Sequence, residues 1–102
     1  MKVFTQSVNF NADSSLIKLA EKKVESLVRF HDKIVDAEVF LKVQNTRDKE
    51  NKITEVKINI PGRELIVKRE TRTFEEGISL AVDSLKRQLK RSKEKHRDSL
   101  IS

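Results

Sequence analysis

The sequence predicts an α+β fold, a two-layer sandwich in which two helices cover one face of a four-stranded sheet. Two stretches with apolar residues at helical spacing and four strand-like stretches occur in the order β-α-β-β-β-α. With 102 residues, two Gly and one Pro, the chain offers one core and no visible linker. We therefore expect a single domain over residues 1–98 and a short C-terminal tail at 99–102.

The first strand and the first helix are predicted at the N-terminus. Residues 2–10 interleave Val, Phe and Thr with polar residues, which is typical of a strand. Asp13 is the predicted N-cap of an amphipathic helix over residues 14–30. The apolar residues of that helix are Leu16, Ala20, Val24, Leu27 and Val28.

Three strands are predicted next. Residues 35–43 and 53–60 alternate between apolar and polar, and the polar run 44–52 between them predicts a hairpin loop. Pro61-Gly62 predicts a turn before the last strand, 64–72. The inward residues of the second strand are expected to be Val35, Ala37, Val39, Leu41 and Val43.

A capping box predicts where the second helix begins. Thr73 stands three residues before Glu76, so its hydroxyl can accept from the Glu76 amide while the carboxylate reaches back. The apolar stripe that follows is Phe74, Ile78, Ala81, Val82, Leu85 and Leu89.

The formal net charge of +6 lies in one short stretch, residues 86–97, here called the basic segment. It holds seven basic side chains against Glu94, and the other residues hold 15 basic and 15 acidic side chains, which cancel. Like charges recur in it one helical turn apart, and each such pair costs an isolated helix roughly 0.2–0.5 kcal/mol. The segment could simply be a solvated, frayed C-terminus. Its self-repulsion is easier to understand, however, if a bound polyanion relieves it, so we interpret it as a polyanion-binding element.

The class of polyanion can be narrowed from the sequence. The chain has no zinc-finger ligands, no helix-turn-helix pattern and no basic region that runs into a heptad seam, which argues against reading of a DNA groove. Its five Phe residues are scattered rather than grouped for stacking on single-stranded bases. Residues 90–97 have no apolar face to insert into a membrane surface. The possibility left by these arguments is that the segment recognises the backbone and shape of folded RNA.

Catalysis and metal binding are not indicated. The chain has no Cys, which excludes disulfides and thiolate sites and favours a reducing compartment. His31-Asp32 is expected to end a helix and His96 to add to the basic segment, since neither has catalytic or metal-site spacing. No apolar run is long enough for a signal peptide or for the roughly 20 residues of a membrane span, so we expect neither. We expect a cytoplasmic protein that is not an enzyme and needs no cofactor.

Two stretches resemble a known family. Residues 83–96 (DSLKRQLKRSKEKH) resemble the second-helix signature of the ribosome hibernation promoting factors, the family that includes ribosome-associated inhibitor A. Residues 23–34 (KVESLVRFHDKI) and 37–43 (AEVFLKV) resemble its first helix, Asp-basic-Ile turn and second strand. The resemblance spans essentially the whole chain, implies the same order of elements and fits a short form of the family.

The resemblance implies a stationary-phase or stress factor that binds rRNA of the small ribosomal subunit where messenger RNA and the A- and P-site transfer RNAs lie. Such a factor inhibits translation sterically, and we expect it to be monomeric off the ribosome. A general double-stranded RNA-binding or RNA chaperone module is the alternative. The family's RNA-contacting positions fall on Lys22, Lys23, Lys86, Arg87, Lys90, Arg91, Lys93 and Lys95, and the charge pattern adds Arg97.

The chain departs from the family's pattern at two places. Members often open the second helix with an aromatic-Ala-Ala run, where this chain has Phe74-Glu75-Glu76-Gly77. Arg69 occupies an inward-facing strand position where a small apolar residue is usual. We expect its long side chain to reach out at the edge of the sheet.

Overall fold

A computed structural model of the chain describes the backbone of residues 1–101 and the side chains of residues 1–92. A short 3-10 helix, Ser26–Arg29, continues directly from the first α-helix. The order of elements is the predicted one, so the α+β prediction is confirmed. The elements are β1 (Lys2–Val8), α1 (Ser14–Glu25), β2 (Asp36–Val43), β3 (Lys52–Ile60), β4 (Arg63–Thr71) and α2 (Phe74–Ile101).

The strands follow one another across the sheet in chain order. β1 and β2 are parallel because α1 carries the chain back to the starting end. β2, β3 and β4 are antiparallel, joined by the loop at 44–51 and the turn at Pro61-Gly62. The register pairs Ala37 with Ile58, and Val56 with Val67, so apolar side chains from neighbouring strands share one face. Both helices pack on this face, as predicted.

The core lies between the helices and that face of the sheet. Every residue of the predicted α2 stripe, from Phe74 to Leu89, is buried, and α1 with its 3-10 extension adds Ala20, Val24 and Leu27. Among the described side chains of α2, which reach residue 92, Leu89 is the last in the core. The helix continues to Ile101, which at 1.5 Å per residue is roughly 18 Å beyond Leu89.

Both predicted helix N-caps are confirmed. Asp13 Oδ1 accepts a hydrogen bond from the Leu16 amide at 2.8 Å, and Thr73 Oγ1 accepts one from the Glu76 amide at 3.2 Å. Each cap satisfies a backbone donor that the first helical turn would otherwise leave unpaired. Local sequence therefore sets the start of each helix.

Three details of the prediction were wrong. The α-helical part of the first helix ends at Glu25, and the tighter 3-10 turn that follows rotates Val28 to the surface, where it is 44% exposed. Val35 lies one residue before β2 and is 61% exposed, although its amide donates to the Asn59 carbonyl at 2.8 Å. β1 ends at Val8 since Asn9 adopts a left-handed conformation with φ of 68°.

The inward-facing Arg69 lies on β4, at the edge of the sheet. It is half-buried, and its Nη1 donates to the backbone carbonyl of Lys68 at 2.9 Å. The long side chain thus keeps a polar partner while its aliphatic stem lies on the helix-covered face.

Candidate RNA-binding surface

A groove separates the end of α1 and its 3-10 extension from the middle of α2. Three cations and one carboxylate line it, together with two serines and two apolar side chains. We call it the interhelical groove. Its lining residues are Lys23, Ser26, Arg29, Phe30, Ser79, Val82, Asp83 and Lys86.

The 3-10 turn directs the chain into this groove. Ser26 Oγ donates to the Lys23 carbonyl at 2.5 Å, and the Phe30 amide donates to the Leu27 carbonyl at 3.0 Å. In a 3-10 helix residues three apart lie in line, so Phe30 follows the buried Leu27 along the same side, facing α2. The turn therefore places an aromatic ring beside the basic segment.

Phe30 contacts two lysines of the basic segment. The ammonium nitrogens of Lys86 and Lys90 lie 4.8 Å and 5.1 Å from the centre of its ring. Ammonium groups are attracted to the negative face of an aromatic ring, by about 0.5–1 kcal/mol at exposed sites. The ring thus holds two like charges, one helical turn apart, next to the groove.

The structure brings together only part of the predicted RNA-binding set. Lys23 and Lys86 line the interhelical groove, and Lys90 joins them through Phe30. Lys22 and Arg87 are exposed but do not line the groove. The remaining predicted residue with a described side chain, Arg91, lies in a separate recess on another part of α2. The side chains of Lys93, Lys95 and Arg97 are outside the described residues.

The sequence analysis missed Arg29 and Phe30. Both lie at the end of the helix predicted over residues 14–30, and the change to a 3-10 turn that aims them at α2 was not foreseen. The only feature of the sequence that could have indicated them is an Arg and a Phe directly before His31-Asp32, and this is a weak signal.

The opposite, uncovered face of the sheet has a different electrostatic character. Lys57 Nζ lies 3.2 Å from a carboxylate oxygen of Glu38 and 3.2 Å from one of Glu64. Its hydrogen bonds to Glu64 and then to Glu38 raise the pKa of Lys57 above its ordinary value. Lys57 thus pairs with two carboxylates at once on this face. By contrast, none of the three cations that line the interhelical groove is in an ion pair with a carboxylate among residues 1–92.

Two further observations limit the chemistry of the described residues. No His, Asp or Glu side chains among them cluster in a group of three or more that could hold a metal ion. In the same part of the chain, no helix has the length and apolar character needed to cross a bilayer.

Comparison with known proteins agrees with the fold. The sequence profile of the family described as sigma 54 modulation protein / S30EA ribosomal protein matches residues 3–97. Comparison with curated protein sequences finds no match.

Two solved structures are similar to this one. A ribosomal subunit interface protein from Coxiella burnetii superposes with a TM-score of 0.80 at 20% identity, covering 92% of this chain and 99% of that one. The N-terminal domain of Protein Y from Thermus thermophilus gives a TM-score of 0.71 at 27% identity, covering 88% and 93%.

Proposed function

Because the chain belongs to the sigma 54 modulation protein / S30EA ribosomal protein family, we propose that it binds the small ribosomal subunit and inhibits translation as a hibernation factor. The family is ribosome-associated, so the function of this chain is related to the ribosome. The observation that carries the proposal is the interhelical groove, in which cations from three elements face the same space and none is in an ion pair with a carboxylate among residues 1–92. A ribosomal partner would place the protein in the cytoplasm.

The groove is suited to an RNA backbone. Lys23, Arg29 and Lys86 come from three different elements, so they can meet phosphates on more than one side. Asp83 at the groove repels phosphates, which favours a defined position over loose attraction. Binding of this kind depends on charge and shape, because none of these side chains needs to reach a base edge.

Inhibition would follow from occupancy and needs no chemical step. The molecule is elongated, with extents of 52 × 24 × 18 Å, and its long basic helix suits a channel walled by RNA. In the channel that holds messenger RNA and the A- and P-site transfer RNAs, such a body would exclude those ligands. Stress or stationary phase is the condition under which this inhibition would be useful.

Co-sedimentation with small ribosomal subunits across a salt series tests the proposal. If five to seven phosphates are neutralised, the logarithm of the affinity should fall with the logarithm of the salt concentration at a slope of roughly −4 to −6. Absence of the protein from the pellet at low salt would overturn the proposal. Equal competition by an arbitrary RNA duplex would instead indicate a general RNA-binding or chaperone module.

A pair of matched double variants tests the groove itself. Lys23→Glu/Lys86→Glu reverses two charges at the groove, whereas Lys42→Glu/Lys68→Glu reverses two exposed charges on the uncovered face of the sheet. Only the first should abolish co-sedimentation and relieve inhibition of a cell-free translation reaction, with the circular dichroism of both unchanged. Equal loss in both variants would show that total charge, not the groove, determines binding.

A further inference from the structure

A second recess lies beside α2, against the start of β4. We call it the β4-flank recess, and its volume is about 280 Å³. An α-helix turns by about 100° per residue, which puts Arg91 about 140° around the axis from Lys86. The recess therefore lies on the other flank of α2 from Phe30 and the interhelical groove. Its lining residues are Arg63, Gln88, Arg91 and Ser92.

The turn between β3 and β4 places Arg63 in this recess. Gly62 has φ of 83°, a left-handed conformation that glycine adopts without strain, and it reverses the chain so that Arg63 pairs with Ile60. Side chains alternate along a strand, so Arg63 points to the same face as the buried Leu65. α2 follows β4 and runs back along it, which brings Arg91 to the start of the strand.

The lining of the β4-flank recess consists of hydrogen-bond donors. Two guanidinium groups, an amide and a hydroxyl line it, and no carboxylate does. Neither Arg63 nor Arg91 forms an ion pair with any carboxylate among residues 1–92. A guanidinium is planar and can donate two parallel hydrogen bonds to one phosphate, which an ammonium group cannot do. The recess therefore has the donors for a tetrahedral oxyanion.

We propose that the β4-flank recess binds a backbone phosphate of RNA, with Arg63 and Arg91 as its two guanidinium donors. α2 would then contact RNA on both flanks, through lysines beside Phe30 and through arginines beside β4. This inference rests on the proposed function for its partner, and it adds Arg63, which lies outside the basic segment. A helix held on two flanks is fixed in rotation about its axis, so the recess would orient the protein on the RNA.

The Arg63→Gln variant tests the inference, with Arg72→Gln as its matched control. Each variant removes one exposed positive charge at an end of β4. Arg63 begins the strand beside the recess, whereas Arg72 follows its other end, away from the recess. Loss of one phosphate contact should reduce the salt slope of small-subunit binding by roughly one unit and the affinity roughly 5–10-fold near 0.1 M salt. Arg72→Gln should leave the slope unchanged. Equal slopes for Arg63→Gln and the wild type would overturn the inference.

A second measurement separates failure of the recess from failure of the proposed function. The chain is titrated with a short RNA duplex, and the side-chain resonances of Arg63, Gln88 and Arg91 are followed by NMR. Shifts at all three resonances in the wild type, with loss of the Gln88 and Arg91 shifts in Arg63→Gln, would support the recess even if the small subunit is not bound. Shifts confined to Phe30 and the interhelical groove would refute it, whatever the ribosome experiment shows.

Discussion

Gly77 lies in the first turn of α2, and the Gly77→Ala variant tests how closely the helix and the sheet approach there. A Cβ atom added to Gly77 would lie 2.5 Å from Thr54 Oγ1 and 2.9 Å from Thr71 Oγ1. Both threonines are buried, and Thr71 Oγ1 donates to the Thr73 carbonyl at 2.6 Å. The sheet therefore cannot accommodate the extra methyl group without moving side chains that have little free space.

Two opposing effects set the size of the change. Alanine in place of glycine inside a helix is usually stabilising by about 0.5–1 kcal/mol. Forcing an extra methyl group into a packed core costs typically about 1–3 kcal/mol. The contact at 2.5 Å is too short for the helix gain to prevail. We therefore expect Gly77→Ala to lower the free energy of unfolding by about 0.5–2 kcal/mol.

Urea unfolding followed by circular dichroism measures this change, and Thr54→Ala provides the companion variant. Thr54 Oγ1 is the atom nearest to the added methyl group, and it has no hydrogen-bond partner among the described residues. In the Thr54→Ala background, Gly77→Ala should cost less by about 1 kcal/mol, because neighbouring residues that clash are energetically coupled. Equal or greater stability of the Gly77→Ala single variant, or simple additivity in the double variant, would refute the reasoning.

Three further variants test the cap, the aromatic contact and the charge cluster. Thr73→Ala removes the acceptor of the Glu76 amide, and urea unfolding should show a loss of about 1 kcal/mol. Phe30→Leu keeps an apolar side chain but loses the face of the ring, and should cost about 1–2 kcal/mol for two ammonium contacts. Lys57 has a raised pKa in the folded state, so its stabilising effect is present below its ordinary pKa of 10.5 and lost as pH rises through the folded value. Unfolding of Lys57→Met should therefore show a smaller decline in stability at alkaline pH than the wild type.

For each of these three predictions, a control variant or a comparison with the wild type gives a result that would contradict it. Thr73→Ser, which keeps the hydroxyl, should retain most of the stability, and an equal loss in both would show that the hydroxyl is not the cause. The Phe30→Leu cost should shrink when Lys86 and Lys90 are replaced by Met, and a constant cost would assign it to packing alone. Parallel pH profiles for Lys57→Met and the wild type would show that the carboxylate cluster does not contribute to stability.

The elements of the fold could be predicted because each is recorded locally in the sequence. The apolar stripe of α2 and the hydroxyl of Thr73 give its face and its start without knowledge of the rest of the chain. The 3-10 turn could not be found in this way. Its sequence continues the apolar spacing of α1, and the tightening that exposes Val28 becomes visible only when the chain packs against α2.

The sequence predicted which basic residues of α2 belong to the candidate site, but not which residues of other elements pack beside them. The excess of Lys and Arg on α2 follows from counting residues, and it identified Lys86 and Lys90. Phe30, Arg29 and Arg63 come from other elements and approach α2 only through tertiary packing. Arg63 in particular stands next to a turn in the sequence, where a charged residue is unremarkable, and its meeting with Arg91 depends on α2 running back along β4.

The position of the basic segment at the end of α2 has an energetic reason. Starting a helix is costly, whereas extending one adds a hydrogen bond for each residue that is fixed. The contacts of residues 74–89 of α2 with the sheet already offset the free-energy cost of starting the helix. The like-charged residues beyond Leu89 then need only extension, which repulsion between charges one turn apart opposes. A polyanion that neutralised these charges would remove this repulsion, so the proposed RNA binding and the stability of the helix in this segment would reinforce each other.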